Sequence, residues 1–119
     1  MDHMMLHSDA VSDDLHQLLK ELMSCDELAS FYLVGGTALA LRYGHRKSID
    51  LDFFTHRPFD AQELAERLTR QFDLTEAALS TNTILGQING IKCDFIAHQY
   101  QLVDAVETID GIRLASVPD

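Results

Sequence analysis

The stretch FYLVGGTALALRYGHRKSIDLDFFT, from Phe31 to Thr55, leaves few folds open to this chain. Phe31 to Val34 is aromatic or aliphatic at every position and breaks at Gly35-Gly36, so a short buried strand is expected to end there. Thr37 to about Tyr43 then reads as a short apolar helix. Gly44 suits its C-terminus, because glycine enters the left-handed conformation without a side-chain clash. A basic turn, His45-Arg46-Lys47, leads into a second strand from Ile49 to Phe54. Alternate strand side chains face opposite ways, which puts Asp50 and Asp52 on one face and Ile49, Leu51 and Phe53 on the other. One strand thus carries paired carboxylates and an apolar back.

The flanking segments supply the rest of a domain. Ser12 has N-cap chemistry, Asp13 and Asp14 complement the helix dipole, and Leu15, Leu18, Leu19, Leu22 and Met23 recur at helical spacing, predicting an amphipathic helix from Asp13 to about Ser24. Asp60 caps a predicted third helix from Ala61 to Phe72, with Leu64, Leu68 and Phe72 inward. From Leu74 the texture becomes β-like. Thr83 to Ile88 and Ile91 to Ile96 flank Asn89-Gly90, a hairpin signal because both turn positions need positive φ. In the second arm Ile91, Cys93 and Phe95 face one way and Lys92, Asp94 and Ile96 the other, so Asp94 leaves the apolar face as Asp50 and Asp52 do. Leu102 to Ile109 fits helix or strand, Asp110-Gly111 is a turn, and Ile112 to Ala115 a final short strand. Met1 to Ala10 lacks periodicity, and residues 1–11 are expected to be a flexible lead-in to a single domain spanning 1–119.

No apolar run approaches the roughly 20 residues of a membrane span, and MDHMMLHSDA lacks the basic and apolar regions of a signal peptide, so a cytoplasmic location without membrane partners is expected. Cys25 and Cys93 have no metal-ligand spacing and read as reduced packing residues. A formal charge of −10 is a poor footprint for gripping a phosphate backbone unaided. Nucleic-acid binding would need divalent cations on the carboxylates, a basic strip such as Arg42, Arg46 and Lys47, or another polypeptide.

Two carboxylates two residues apart on a strand, with a third on a neighbouring strand, suit a pair of hard divalent cations, which clamp the attacking and leaving oxygens of a phosphoryl displacement. Gly35-Gly36 before a helix lets backbone N–H groups approach an anion, and the helix N-terminus adds a favourable dipole. Each part alone has an ordinary structural explanation: Gly-Gly as a turn, Asp-x-Asp as a solvated pair, Lys92 as an ion-pair partner of Asp94. Together, within one short stretch, they point to a phosphate seat beside a metal seat. His56 and His98 have no ligand spacing and read as surface histidines.

At these residues the chain resembles the AbiEii/AbiGii-type toxin family of the DNA polymerase β-like nucleotidyltransferase superfamily. The resemblance is carried by Gly35-Gly36-Thr37-Ala38-Leu39-Ala40-Leu41, by Gly44-His45-Arg46 and by Ser48-Ile49-Asp50-Leu51-Asp52-Phe53-Phe54. The interval from Gly36 to Asp50 fits that family better than the tighter interval of minimal MNT-type antitoxins. The resemblance implies an α+β, polymerase β-like mixed sheet with helices packed on one face. It implies catalytic and metal-binding roles for Asp50, Asp52 and Asp94, which would hold two Mg²⁺ or Mn²⁺ ions. Gly35, Gly36, Thr37, Arg46 and Ser48 would bind the NTP. It further implies transfer of a nucleoside monophosphate to an acceptor hydroxyl such as a tRNA 3′ end, by a toxin restrained by a cognate antitoxin protein. In the similar family a segment like Leu114 to Asp119 leads into a lysine-bearing helix, whereas this sequence ends at Asp119, as a fragment or a natural short form would.

Two other readings stay open from the residues. One is a catalytically incomplete nucleotide- or partner-binding module of the same fold. The other takes Asp50-Leu51-Asp52 as a haloacid-dehalogenase-like nucleophile pair; that pattern wants threonine or valine where Phe54 stands, and a longer chain.

Overall fold

The computed structural model of the protein describes residues 6–44, 49–98 and 106–115. In chain order it contains α1 (Asp13–Met23), β1 (Tyr32–Val34), α2 (Gly35–Tyr43), β2 (Leu51–Thr55), α3 (Ala61–Phe72), β3 (Thr75–Ser80), β4 (Thr83–Ile88), β5 (Ile91–Ala97), β6 (Val106–Ile109) and β7 (Ile112–Ala115). Short 3-10 turns occupy Ser8–Ala10 and Asp26–Leu28. The strands form one seven-stranded sheet in the order β3-β4-β5-β2-β1-β7-β6. It is mixed: β2 runs parallel to β5 and β1 parallel to β7, while the remaining neighbours are antiparallel.

Local chemistry accounts for the element ends. The Ser12 hydroxyl accepts from the Leu15 N–H at 3.1 Å and the Asp60 carboxylate from the Glu63 N–H at 3.1 Å, each satisfying a donor that a helix start leaves unpaired. Asn89-Gly90 and Asp110-Gly111 all have positive φ, as the tight β4–β5 and β6–β7 turns require. Gly44 closes α2 at φ 66°, and a Cβ there would lie 2.7 Å from the His7 ring, so this position needs glycine twice over.

The helices bury their apolar stripes in one cluster on one side of the sheet. Leu15, Leu18, Leu19 and Leu22 of α1, Ala38 and Leu41 of α2 and Leu64, Ala65 and Leu68 of α3 share it with Leu33, Leu51, Phe53, Ile84, Ile88, Cys93, Phe95, Ile112 and Leu114 of the strands. Phe53 and Phe95 are paired across β2 and β5 and stack nearly parallel, with centroids 5.1 Å apart. Arg113 ties the strand edge to the helical layer: its guanidinium donates to the carbonyls of Phe31 at 2.7 Å, Leu28 at 2.9 Å and Met23 at 3.3 Å.

Several sequence expectations shift. The carboxylate strand begins at Leu51, and Ile49 is 78% exposed instead of packing on the apolar back. The cause is the ladder itself: β1 has only three residues, and its pairing with β2 runs from Tyr32–Phe54 to Val34–Asp52 and no further. Thr55 takes the third inward place, with its hydroxyl donating to Ser30 Oγ at 3.0 Å. Helix α2 starts directly at Gly35. The described part of the expected flexible lead-in is docked: Leu6 packs on the core, the His7 N–H donates to the Leu41 carbonyl at 2.7 Å, and Ala10 and Val11 are buried. A helix C-terminus offers unpaired carbonyls, and this segment takes one of them. Of the ambiguous stretch, Val106–Ile109 is a strand, and 102–105 lie outside the described residues.

Candidate functional site

With the helices on one face, the other face of the central strands carries Asp52, Phe54, Lys92 and Asp94 beside the aliphatic Val34 and Ile96. Asp52 of β2 stands in register with Asp94 of the parallel strand β5, and with Val34 of β1 on its other side. The two carboxylates therefore share a face on adjacent central strands. Burial chiefly, then the charge of Asp94, push the Asp52 pKa above the usual carboxylate value; Lys92 opposes them, and Asp50, just before β2, adds a smaller push in the same upward direction. The three acids singled out in the sequence are thus electrostatically coupled.

Asp94 is the most enclosed of them, at 7% exposure. Lys92 Nζ reaches its Oδ2 at 3.4 Å, the ion pair expected from strand alternation. Its Oδ1 is buried with no hydrogen-bond partner among the described residues. A buried carboxylate oxygen without a donor is costly unless something binds it. Among the described residues, no group of three or more His, Cys, Asp or Glu side chains is set to hold a metal ion by itself. Mg²⁺ seldom needs such a cage, since it commonly takes one or two protein carboxylates and completes its shell with substrate phosphates and water. An all-oxygen, anionic donor set with one orphaned buried oxygen suits a hard divalent cation.

The start of α2 abuts these acids. Gly35 has φ 74°, and a Cβ built on it would lie 2.8 Å from Asp52 Oδ2, so the helix start approaches the carboxylate as closely as only glycine allows. Val34, at the N-cap, gives no side-chain cap. Nothing from the N-cap side chain therefore competes for the first-turn N–H groups, which have no acceptors within the helix. Thr37 is buried and its hydroxyl donates to the main-chain carbonyl of Asp50. It pins the approach to β2 against α2, a positioning contact that strand and helix patterns alone do not reveal. Arg46 and Ser48, expected at the nucleotide, lie outside the described residues.

The remaining candidates have contacts of their own. His56 Nε2 lies 3.3 Å from the Tyr32 hydroxyl, and the His98 ring packs on Phe54. The Cys93 thiol is fully buried, and burial followed by the charge of Asp94 pushes its pKa up to about 12, which removes it as a nucleophile. Cys25 is pushed up to about 11 by burial and by its contact with Glu27. A cleft lined by Glu27, Phe31, Arg57, Phe59, Glu63 and Arg67 receives none of the three carboxylates.

Comparison with known proteins agrees with this geometry. Residues 17–105 match the model of the family described as nucleotidyl transferase AbiEii toxin, type IV TA system. An uncharacterized protein of Aquifex aeolicus is 36% identical over 107 residues, covering 87% of this chain and 52% of the relative. The chain thus spans about half the length of that curated relative. Among solved structures, an apo form of a tRNA-processing enzyme superposes with a TM-score of 0.55 at 21% identity, over 74% of this chain and 24% of the other. A candidate nucleotidyltransferase from H. pylori gives 0.52 at 20% identity, over 85% and 50%. At these identities the likeness establishes the fold, an α+β mixed sheet of the polymerase β-like kind.

Proposed function

The chain belongs to the nucleotidyl transferase AbiEii toxin family of type IV toxin–antitoxin systems, and on that premise we propose that it forms the catalytic core of a divalent-metal-dependent nucleotidyltransferase. The observation that carries the reading is the register of Asp52 with Asp94 beside the glycine-opened start of α2. Asp50, Asp52 and Asp94 would hold Mg²⁺ or Mn²⁺, which when bound neutralises phosphate charge and stabilises the attacking and leaving oxygens. Gly35 and Gly36 seat the NTP phosphates on the first turn of α2, where N–H groups and the helix dipole favour anions. Thr37 acts by holding Asp50 in place.

The reaction is an in-line displacement at the α-phosphorus. The acceptor hydroxyl oxygen forms a bond to that phosphorus, the bridging bond to the β-phosphate breaks, and pyrophosphate leaves with the bonding pair. The hydroxyl proton passes to a carboxylate, and the reading assigns this to Asp94, whose Oδ1 has no hydrogen-bond partner among the described residues. Catalysis of this kind is positioning plus charge stabilisation by many groups together. The proposed acceptor is an RNA end such as the 3′ terminus of a tRNA, and the proposed protein partner is a cognate antitoxin.

Incubation with labelled NTPs, Mg²⁺ and tRNA tests this directly. Incorporation should require the metal and should be abolished in Asp50→Ala and Asp52→Ala. Label transfer unchanged by Asp50→Ala would remove the assignment, and Mg²⁺-dependent NTP binding without turnover would mark a nucleotide-binding module instead.

A further inference from the structure

The sheet face that carries the acids also carries a pair of rings which the reading above leaves unused. Phe54 lies two residues beyond Asp52 on β2 and shares its face, and it stands in register with Ile96 of β5 and Tyr32 of β1. The His98 ring packs on Phe54 with centroids 4.3 Å apart and planes tilted by 44°. The His98 N–H donates to the Thr55 carbonyl at 2.8 Å, which holds the chain after β5 beside β2. Both rings are partly exposed. A half-open aromatic pair about 6.5 Å along the strand from a catalytic carboxylate is within one nucleotide's reach of the reacting phosphorus.

Direction along the strand decides which nucleotide. Asp52 is level with Val34, the last residue before α2, whereas Phe54 is level with Tyr32, further from that helix start. In-line displacement puts the leaving pyrophosphate and the incoming hydroxyl on opposite sides of the α-phosphorus. With the triphosphate on the first turn of α2, the acceptor approaches from the Phe54 side.

We propose that Phe54 and His98 form a stacking platform for the terminal base of the acceptor RNA. The inference rests on the nucleotidyltransferase reading above. Stacking suits this chain in particular: with a net charge of −10 it cannot gather RNA by long-range attraction, and a π-face binds any base without needing a cationic groove.

The test uses a short single-stranded RNA with 2-aminopurine as its 3′-terminal base, titrated with the protein and Mg²⁺ in the absence of NTP. The platform should quench the fluorophore, and Phe54→Leu, which keeps apolar bulk but loses the ring face, should weaken binding about 5- to 150-fold. Phe54→Trp should retain binding, and His98→Ala should weaken it in the same direction. A 5′-labelled RNA of the same sequence with an abasic 3′ terminus should bind wild type and Phe54→Leu equally. Full quenching and unchanged affinity in Phe54→Leu overturn the platform, as does an equal loss on the abasic RNA. If wild type still transfers label from NTP in either case, only the platform falls. If wild type neither binds the RNA nor transfers label, the nucleotidyltransferase reading falls with it.

Discussion

Replacing Gly35 with alanine tests whether the start of α2 is fitted to the Asp52 carboxylate. Two separate effects are built into this change. The backbone sits at φ 74°, where a Cβ costs about 1–2 kcal/mol. The new Cβ also meets Asp52 Oδ2 at 2.8 Å, about 0.6 Å inside ordinary contact. Gly90→Ala separates the two, since Gly90 has φ 78° in the β4–β5 turn and nothing within 4 Å of its would-be Cβ. From the backbone alone both variants should lose about 1–2 kcal/mol, near 3–8 °C in Tm for a domain of this size. The collision is relieved most cheaply by rotating the Asp52 side chain, at about 0.5–1.5 kcal/mol. The carboxylate is then displaced, and misplacement on the scale of an ångström costs on the order of 100-fold in rate. Thermal melts and NTP incorporation should therefore show Gly35→Ala less stable than Gly90→Ala by only about 0.5–1.5 kcal/mol, with activity lost in Gly35→Ala alone. Gly35→Ala and Gly90→Ala with equal incorporation would refute the claim that this contact sets the geometry of Asp52.

Asp52→Asn should stabilise the protein while abolishing transfer. A carboxylate whose folded pKa is raised by burial and by Asp94 and Asp50 costs no stability below its unfolded pKa and costs most once pH exceeds the folded value. The variant should gain stability near pH 8 without divalent ions, and the gain should vanish near pH 3; melts across that range that differ by a constant amount would contradict it. Phe95→Ala removes a fully buried ring stacked on Phe53 and edge-on to Phe31, and should cost about 3–5 kcal/mol by urea titration. A loss below about 1 kcal/mol would mean that this side of the sheet is not close-packed.

How much of this was legible in the sequence follows from the range of each signal. The capped, periodic helices and the Asn89-Gly90 hairpin are written in contiguous residues, and α3 and β4 emerge with the boundaries their patterns predict. Alternation placed Asp50, Asp52 and Asp94 off the apolar face, and Lys92 beside Asp94. Information held in partners was lost. Ile49 looked inward by alternation, but the three-residue length of β1 ends the ladder before it. Residues 6–11 have no pattern of their own, because what orders them is the open end of α2. The guanidinium of Arg113, bonded to three carbonyls from Met23, Leu28 and Phe31, is a long-range contact with no local trace. The hydroxyl of Thr37 donates to the Asp50 carbonyl, a contact across thirteen residues that no local pattern announces.

The placement of the acids follows from what lies beneath them. Like charges on adjacent strands repel, and one Asp94 oxygen is buried without a donor among the described residues, so this part of the sheet is held together against its own electrostatics. On the opposite side of the same two strands, Phe53 and Phe95 stack in register, packed under helical leucines. Parallel pairing of β2 with β5 is what makes this coincidence possible. It brings residues 52 and 94 level with one another and residues 53 and 95 level one step on, so each strand turns an acid away from the helical layer and a phenylalanine toward the core. A shift of one residue in that register would turn one of the two strands over, burying its acid and exposing its ring, an exchange that the apolar core cannot tolerate. The hydrophobic layer thus fixes the alignment of the carboxylates, and the charge conflict persists because the packing below it overrules it.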